Sequence, residues 1–367
     1  MKLKYMPLLL VPFYGFTQAA EIYNKDSNKL DFYGRLVARH QFSDTVSADG
    51  DKTYARIGFK GLTTINDTLQ GFGQWEYQIS GNVAEGQEGN HSRTRLAFAG
   101  LKHASLGSLD YGRNYGVIYD VESFTDILPV FGADTYTRPD TFMQLRAGGV
   151  LTWRGYDFFG LVEGLNLAIQ YQGKNEDSSR AVRNQNGDGV GASLVWQSDY
   201  GLSLGTAYAG SNRTDAQQQK SGNNAGRAES LNAGIKYDTG KFLIGSVYAE
   251  TRNMIWAGGS DWTLGDAGYG KWGAVTDRTR NIEVAAHYQF DNGFRPSVAY
   301  LQSRMDYNGI SGNIVKYADI SIRYFFNKNF SAHADWKINL LDDDSRVIKA
   351  TGISTDNVLA AGMIYQF

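Results

Sequence analysis

From Lys29 the chain reads KLDFYGRLVARHQF, and neighbouring side chains alternate in character. Leu30, Phe32, Gly34, Leu36 and Ala38 share one face, and Asp31, Tyr33, Arg35, Val37, Arg39 and Gln41 share the other. That is the period of two of a β-strand with unlike faces. It returns in 53–60, where Ala55, Ile57 and Phe59 oppose Arg56, and in 71–80, where Trp75, Tyr77 and Ile79 oppose Gln74, Glu76 and Gln78. In 93–99 it sets Arg93 and Arg95 against Leu96 and Phe98. Further alternating runs lie at 166–171, 190–196, 203–208, 231–237, 243–250, 282–290, 295–302, 317–325, 330–338 and 358–367. The spacing predicts one all-β domain of about sixteen strands, a number that closes into a barrel wide enough to hold a water-filled lumen. Some turns are short (64–67, 291–293, 327–329) and some connections long and polar (82–92, 175–188, 211–229, 256–280, 342–355). Short and long links in alternation suit a barrel with two unlike rims.

One stretch breaks the rhythm. TDILPVFGAD (125–134) is acidic and aromatic, with Pro129, Gly132 and Ala133 interrupting any period, and alternation is lost until RAGGVLTW (146–153). Loops of about thirty residues are rare in compact domains and usually functional. The reading this favours is a loop folded into a water-filled barrel, which it narrows.

Composition sharpens the class. The chain has 43 glycines, 23 tyrosines and 19 phenylalanines but five prolines and no cysteine, so neither a disulfide framework nor a thiolate metal site exists. No later apolar run reaches the roughly 18 residues of a membrane helix, yet a barrel crosses with segments of about ten alternating residues and closes its own edges. Residues 1–19 carry Lys2 and Lys4, an apolar run (MPLLLVPFYGF) and Thr17-Gln18-Ala19, the order of a secretory signal peptide. Two of the 36 basic residues and none of the 38 acids lie in that segment, so residues 20–367 carry a net charge of −4. That excludes the basic footprint of a nucleic-acid binder.

The chain ends with Leu359, Ala361, Met363, Tyr365 and Phe367 on one face. A free terminal aromatic after such alternation resembles the assembly signal of outer-membrane barrels. Longer motifs extend the likeness: AEIYNKDSNKLDFYG (20–34), TYARIGFKG (53–61), GQWEY (73–77), TRLAFAGLK (94–102), DYGRNYGV (110–117), NGDGVG (186–191), YFFNKN (324–329) and IYQF (364–367). Together they resemble the general diffusion porins of enterobacterial outer membranes, over essentially all of residues 20–367. The resemblance implies a homotrimer of sixteen-stranded antiparallel transmembrane β-barrels in outer-membrane lipid and lipopolysaccharide. Each barrel would have its third loop folded inward as an eyelet, passing ions and small hydrophilic solutes, antibiotics among them, with no cofactor and no metal.

Position by position, the resemblance puts a basic cluster on the wall at Arg35, Arg56, Arg95 and Arg146, and an acidic group on the loop at Asp126 and Asp134. Strand parity independently places Arg35, Arg56 and Arg95 on polar faces. Opposed rings of charge orient solutes and set selectivity. The family usually writes PEFGGD, and this chain writes PVFGAD, so Val130 stands where a glutamate is expected and Ala133 replaces a glycine. Glu122 is a candidate for the missing charge, Arg138 for the opposite effect, and Glu76 a further modulator. The expectation is a weakened or abolished cation preference. The resemblance also implies that Glu85 reaches a neighbouring subunit, with Arg113 as its partner type. Arg180 and Arg183 carry no assigned role.

Three rival readings share some of these features: a soluble secreted β-protein, an outer-membrane barrel enzyme such as a lipase or protease, and a substrate-specific channel of the same fold. Gly201-Leu202-Ser203-Leu204-Gly205 fits G-x-S-x-G, but a nucleophile elbow needs a strand, a sharp turn and a helix. The five histidines lack metal-ligand spacing, and Asp342-Asp343-Asp344 lacks the glycine and distal glutamate of a calcium loop. A substrate-specific channel would show an aromatic ladder in its lumen, for which Tyr115 and Tyr119 are the candidates.

Overall fold

A computed structural model describes residues 20–85, 92–177, 179–257 and 274–367. The expected signal peptide at 1–19, His91 and much of the polar stretch 256–280 lie outside the described residues. Among those described, sixteen antiparallel strands close into one barrel. In chain order they are β1 Asn28–Phe42, β2 Tyr54–Thr64, β3 Leu69–Ser80, β4 Arg93–His103, β5 Gly107–Tyr115, β6 Arg146–Gly155, β7 Leu165–Gln172 and β8 Gly189–Gln197. They continue as β9 Leu202–Asn212, β10 Arg227–Asp238, β11 Phe242–Arg252, β12 Arg278–Tyr288, β13 Phe294–Tyr307, β14 Ile310–Phe325, β15 Phe330–Asn339 and β16 Val358–Gln366. No helix among the described residues is long and apolar enough to cross a membrane.

Two chain ends share the closing edge. β16 pairs with β1 from Gln366↔Arg35 to Leu359↔Phe42, and the short strand Ala20–Lys25 pairs with the rest of β1, from Ala20↔Phe32 to Lys25↔Asn28. The terminal aromatic sits at this seam. The Gly34 amide donates to the Phe367 carbonyl (2.9 Å) and the Phe367 amide to the Gly34 carbonyl (3.0 Å). A Cβ on Gly34 would stand 2.5 Å from the Arg56 carbonyl oxygen and 2.9 Å from the Phe367 ring, so only glycine admits both. Closure leaves no unpaired edge, the condition for burying backbone in lipid.

The two wall faces differ as the sequence pattern requires. Leu36, Ile169, Val190, Leu231, Val298, Ile320 and Met363 point outward and are exposed. The inner face carries Ser193, Ser203, Ala207, Ser230, Asn232, Thr279 and Asn281, small or polar and buried. An aromatic girdle lies at the short-turn rim, where Tyr288, Phe290 and Phe294, Tyr324, Phe326 and Phe330, and Tyr365 and Phe367 meet at ring-centroid distances of 4.7 to 6.1 Å. Such girdles anchor a barrel at the membrane–water boundary.

Parity fails at one place. The β3–β4 register passes from Glu76↔Leu96 to Tyr77↔Thr94, skipping Arg95. This bulge turns Leu96 onto the lumenal face with Arg93 and Arg95, correcting the expected opposition. Ser203 lies inside β9, buried on a continuous strand without the turn and helix of an elbow.

Candidate functional site

The aperiodic segment becomes the connection 116–145 between β5 and β6. Its ends are tied where the Gly116 amide donates to the Leu145 carbonyl (2.6 Å). Instead of rising from the rim, it runs along lumenal side chains of β7 to β15, from Gln170 and Ser193 to Asp335. A one-turn helix, α1 (Tyr119–Glu122), rests on glycines of three adjacent strands. A Cβ on Gly205 would come within 3.0 Å of Val121 and 3.1 Å of Phe124, and one on Gly234 within 2.9 Å of Val121. On Gly245 it would meet the Phe124 carbonyl oxygen at 2.1 Å. The absent side chains make a trough of the loop's width.

Further along, Ile127, Leu128 and Phe131 pack on Ala285, Ala299, Leu301 and Tyr317. Each such side chain removed from lumen water contributes up to about 2 kcal/mol. Polar contacts fix the register. The Val130 amide donates to Asp335 (2.9 Å) and the Gly132 amide to the Tyr317 hydroxyl (3.0 Å). The hydroxyls of Thr125 and Thr135 donate to Glu283 (3.0 and 2.5 Å). Ala133 sits at φ 48°, in the left-handed region, so its methyl group carries a strain that a glycine would not.

Arg35 and Arg56 are cross-strand partners, and their guanidiniums flank the Tyr54 ring at 5.7 and 5.5 Å. Arg56 also donates to Gln78 (2.9 Å). Arg95 donates through Nε to Glu76 (2.5 Å), which accepts from the Tyr33 hydroxyl (3.1 Å) and lies 3.8 Å from Arg56. Arg146 stands over Tyr115 (5.6 Å). Tyr115 and Tyr119, the ladder candidates, stack on each other at 4.6 Å, and the Tyr119 hydroxyl donates to Asp126 (2.5 Å). Asp134 accepts from the Tyr317 hydroxyl (2.8 Å) and pairs with Lys337 (3.5 Å). Basic wall residues and acidic loop residues thus line the same lumen.

The sequence matches the family described as Gram-negative porin over residues 25–367. The chain belongs to that family. Outer membrane protein S2 of Salmonella typhi is 51% identical to it, over 99% of this chain and 98% of that one. Outer membrane porin N of Escherichia coli K12 is 49% identical, with the same coverage. The solved structure of Salmonella typhi OmpF in complex with daunomycin superposes with a TM-score of 0.85 at 46% identity, covering 95% of this chain and all of that one. The protein is an outer-membrane general diffusion porin, and its relatives are channels rather than enzymes.

The porin's lumen departs from the sequence reading at several residues. Glu122 supplies no charge to the opening, because it is fully buried behind the loop beside Glu283 and Tyr136. Burial, reinforced by Glu283, raises its pKa well above the carboxylate range. Arg138 is half-buried near Asp134 and donates to the Thr137 carbonyl (2.9 Å). Glu76 is neutralised by Arg95. Arg113 makes a two-pronged ion pair within its own chain, to Asp140 (2.6 and 2.9 Å), while Glu85 is exposed in the second long loop. Arg180 and Arg183 fall in the connection 173–188.

Sequence reasoning missed Tyr317 and Lys337 as lumenal participants, and put Arg93 on the polar face of its strand without assigning it a role. Alternation could have found Lys337, which shares a face of β15 with His333 and Asp335.

Glu122→Gln keeps the shape of the neutral acid and tests its assignment. Below the ordinary carboxylate pKa the folded and unfolded wild-type chains both hold the proton, so the variant should gain nothing. Above it only the unfolded chain ionises, so the wild type should lose about 1.4 kcal/mol per pH unit relative to the variant, until the folded group's own pKa is reached. Thermal denaturation of both proteins at pH 4 and pH 8 reads the difference, with single-channel conductance unchanged.

Proposed function

We propose that this porin is a passive trimeric channel whose eyelet has lost the cation preference its acidic loop would otherwise give it. One observation carries the reading. Arg35, Arg93 and Arg146 face the lumen with no carboxylate in ion-pair range among the described residues. On the loop side, Asp134 is matched by Lys337 and Val130 offers no charge, which leaves Asp126. Fixed charge in a narrow aqueous passage sets the local concentration of each ion, and here the uncompensated balance is positive. Ions and small hydrophilic solutes, antibiotics included, would pass down their gradients.

Residues 1–19 would direct export. Three barrels would assemble in lipid and lipopolysaccharide, with Glu85 reaching toward a neighbour's Arg113. Purified, unheated protein inserted in a planar bilayer should produce conductance steps in groups of three. Insertions that always come singly would contradict the trimer.

A further inference from the structure

The barrel holds a second row of basic side chains, running from the short-turn rim up to Arg39, four residues along β1 from Arg35. Arg295, Arg323, His333, Gly362 and Arg39 are successive cross-strand partners on β13, β14, β15, β16 and β1. All share the lumenal parity of Ser297, Ser321, Asp335 and Val37. Arg295 is the second residue of a strand that starts at the short-turn rim, and Arg39 is the fourth from last of a strand that ends at the long-loop rim. Because barrel strands tilt, the row climbs obliquely through the lumen, over about 19 Å of sheet.

Its lower half is preorganised. The guanidiniums of Arg295 and Arg323 lie 4.7 and 4.5 Å from the centroid of the same ring, Phe325. Each spends its Nε–H on the protein, Arg295 on Gln289 (2.8 Å) and Arg323 on Ser331 (3.1 Å). Their terminal nitrogens have no protein acceptor among the described residues. His333 lies next in the row, 6% exposed, and neither ring nitrogen has a hydrogen-bond partner. A Cβ on Gly362 would meet that ring at 2.9 Å, so the glycine is what admits it. None of the three arginines has an ion pair among the described residues. The carboxylates nearest in the wall are Asp335, engaged by the Val130 amide, and Asp238 near Arg295.

Like charges held side by side without counter-charges destabilise a wall unless something in the lumen accepts them. We propose that Arg295, Arg323 and His333 form a binding site for multivalent phosphate-type anions, with Arg39 extending it toward the loop. Two guanidinium forks and an imidazole N–H match the oxygens of adjacent phosphate groups. A monovalent anion would engage one fork, whereas an oligophosphate spans the three side chains at adjacent-strand spacing. The site would collect such anions at the short-turn mouth and pass them to the arginines beside the loop.

Inorganic tripolyphosphate is the probe. Added in KCl to the short-turn side of a single wild-type channel, it should block the current more strongly than from the long-loop side. The Arg295→Gln/Arg323→Gln double variant should still insert as an open channel and lose at least about tenfold in apparent affinity. Calorimetric titration of the detergent-solubilised protein with tripolyphosphate reads the same site without conduction, so the result stands apart from the channel reading. Phe325→Leu removes only the shared ring and should weaken binding less than the double variant, which covers a double variant that fails to fold. No heat of binding by the wild type, or equal affinity in wild type and double variant, would overturn the site. So would block that is abolished by Arg35→Gln and indifferent to Arg323.

Discussion

Replacing Val130 with glutamate should raise the potassium-over-chloride permeability ratio roughly threefold to tenfold. The backbone at 130 is pinned by its amide to Asp335, so the new carboxylate would be delivered to a fixed place at the loop's inner edge. A unit charge about 7 Å from a passing ion contributes about 0.6 kcal/mol in bulk water and about 2.4 kcal/mol at the effective dielectric of a protein surface. Salt screening trims the upper figure. The new carboxylate would join Asp126 and Asp134 on the loop side, across the lumen from the unpaired wall arginines. Reversal potentials across the same KCl gradient, wild type beside variant, measure the shift. An unchanged ratio would mean that residue 130 does not face the ion path.

Gly245→Val has the second large consequence, because it fills the trough beneath the loop. The clash is with the Phe124 carbonyl oxygen, at 2.1 Å from the new Cβ, and no rotamer change relieves a backbone contact. The strand itself should accept valine, so the barrel closes and the loop lifts. Losing the seats of Val121 and Phe124 removes about 3 kcal/mol or more of docking. Chymotrypsin should then cleave at Phe131 or Tyr136 in the folded variant, where the wild type resists, and the open current should fluctuate between levels. A resistant variant with steady wild-type conductance would show that the glycines do not hold the loop.

Most of the fold was legible in the chain. Alternation marks the strands because lipid and lumen select opposite side chains on the two faces, and the loop shows as the place where that selection stops. The site was legible only where a charge stood on a regular strand, as at Arg35 and Arg56. At Arg95 one unpaired residue inverted the parity on one side, which no local pattern announces. Glu122 reads as an available charge because its neighbours in sequence are ordinary, while its burial comes from Glu283, 161 positions later. Asp134 likewise meets Tyr317, and Val130 meets Asp335, 183 and 205 positions away. Such pairings depend on where the loop comes to rest, and that depends on glycines whose absent side chains leave no mark in a hydrophobicity pattern.

The most direct test of an eyelet without cation preference is the wild-type reversal potential in a KCl gradient at neutral pH. A value at zero or on the chloride side follows from unmatched Arg35, Arg93 and Arg146 facing Asp126. A strongly potassium-selective potential would contradict it, and would mean that the wall arginines are screened while the loop acids still govern the passage.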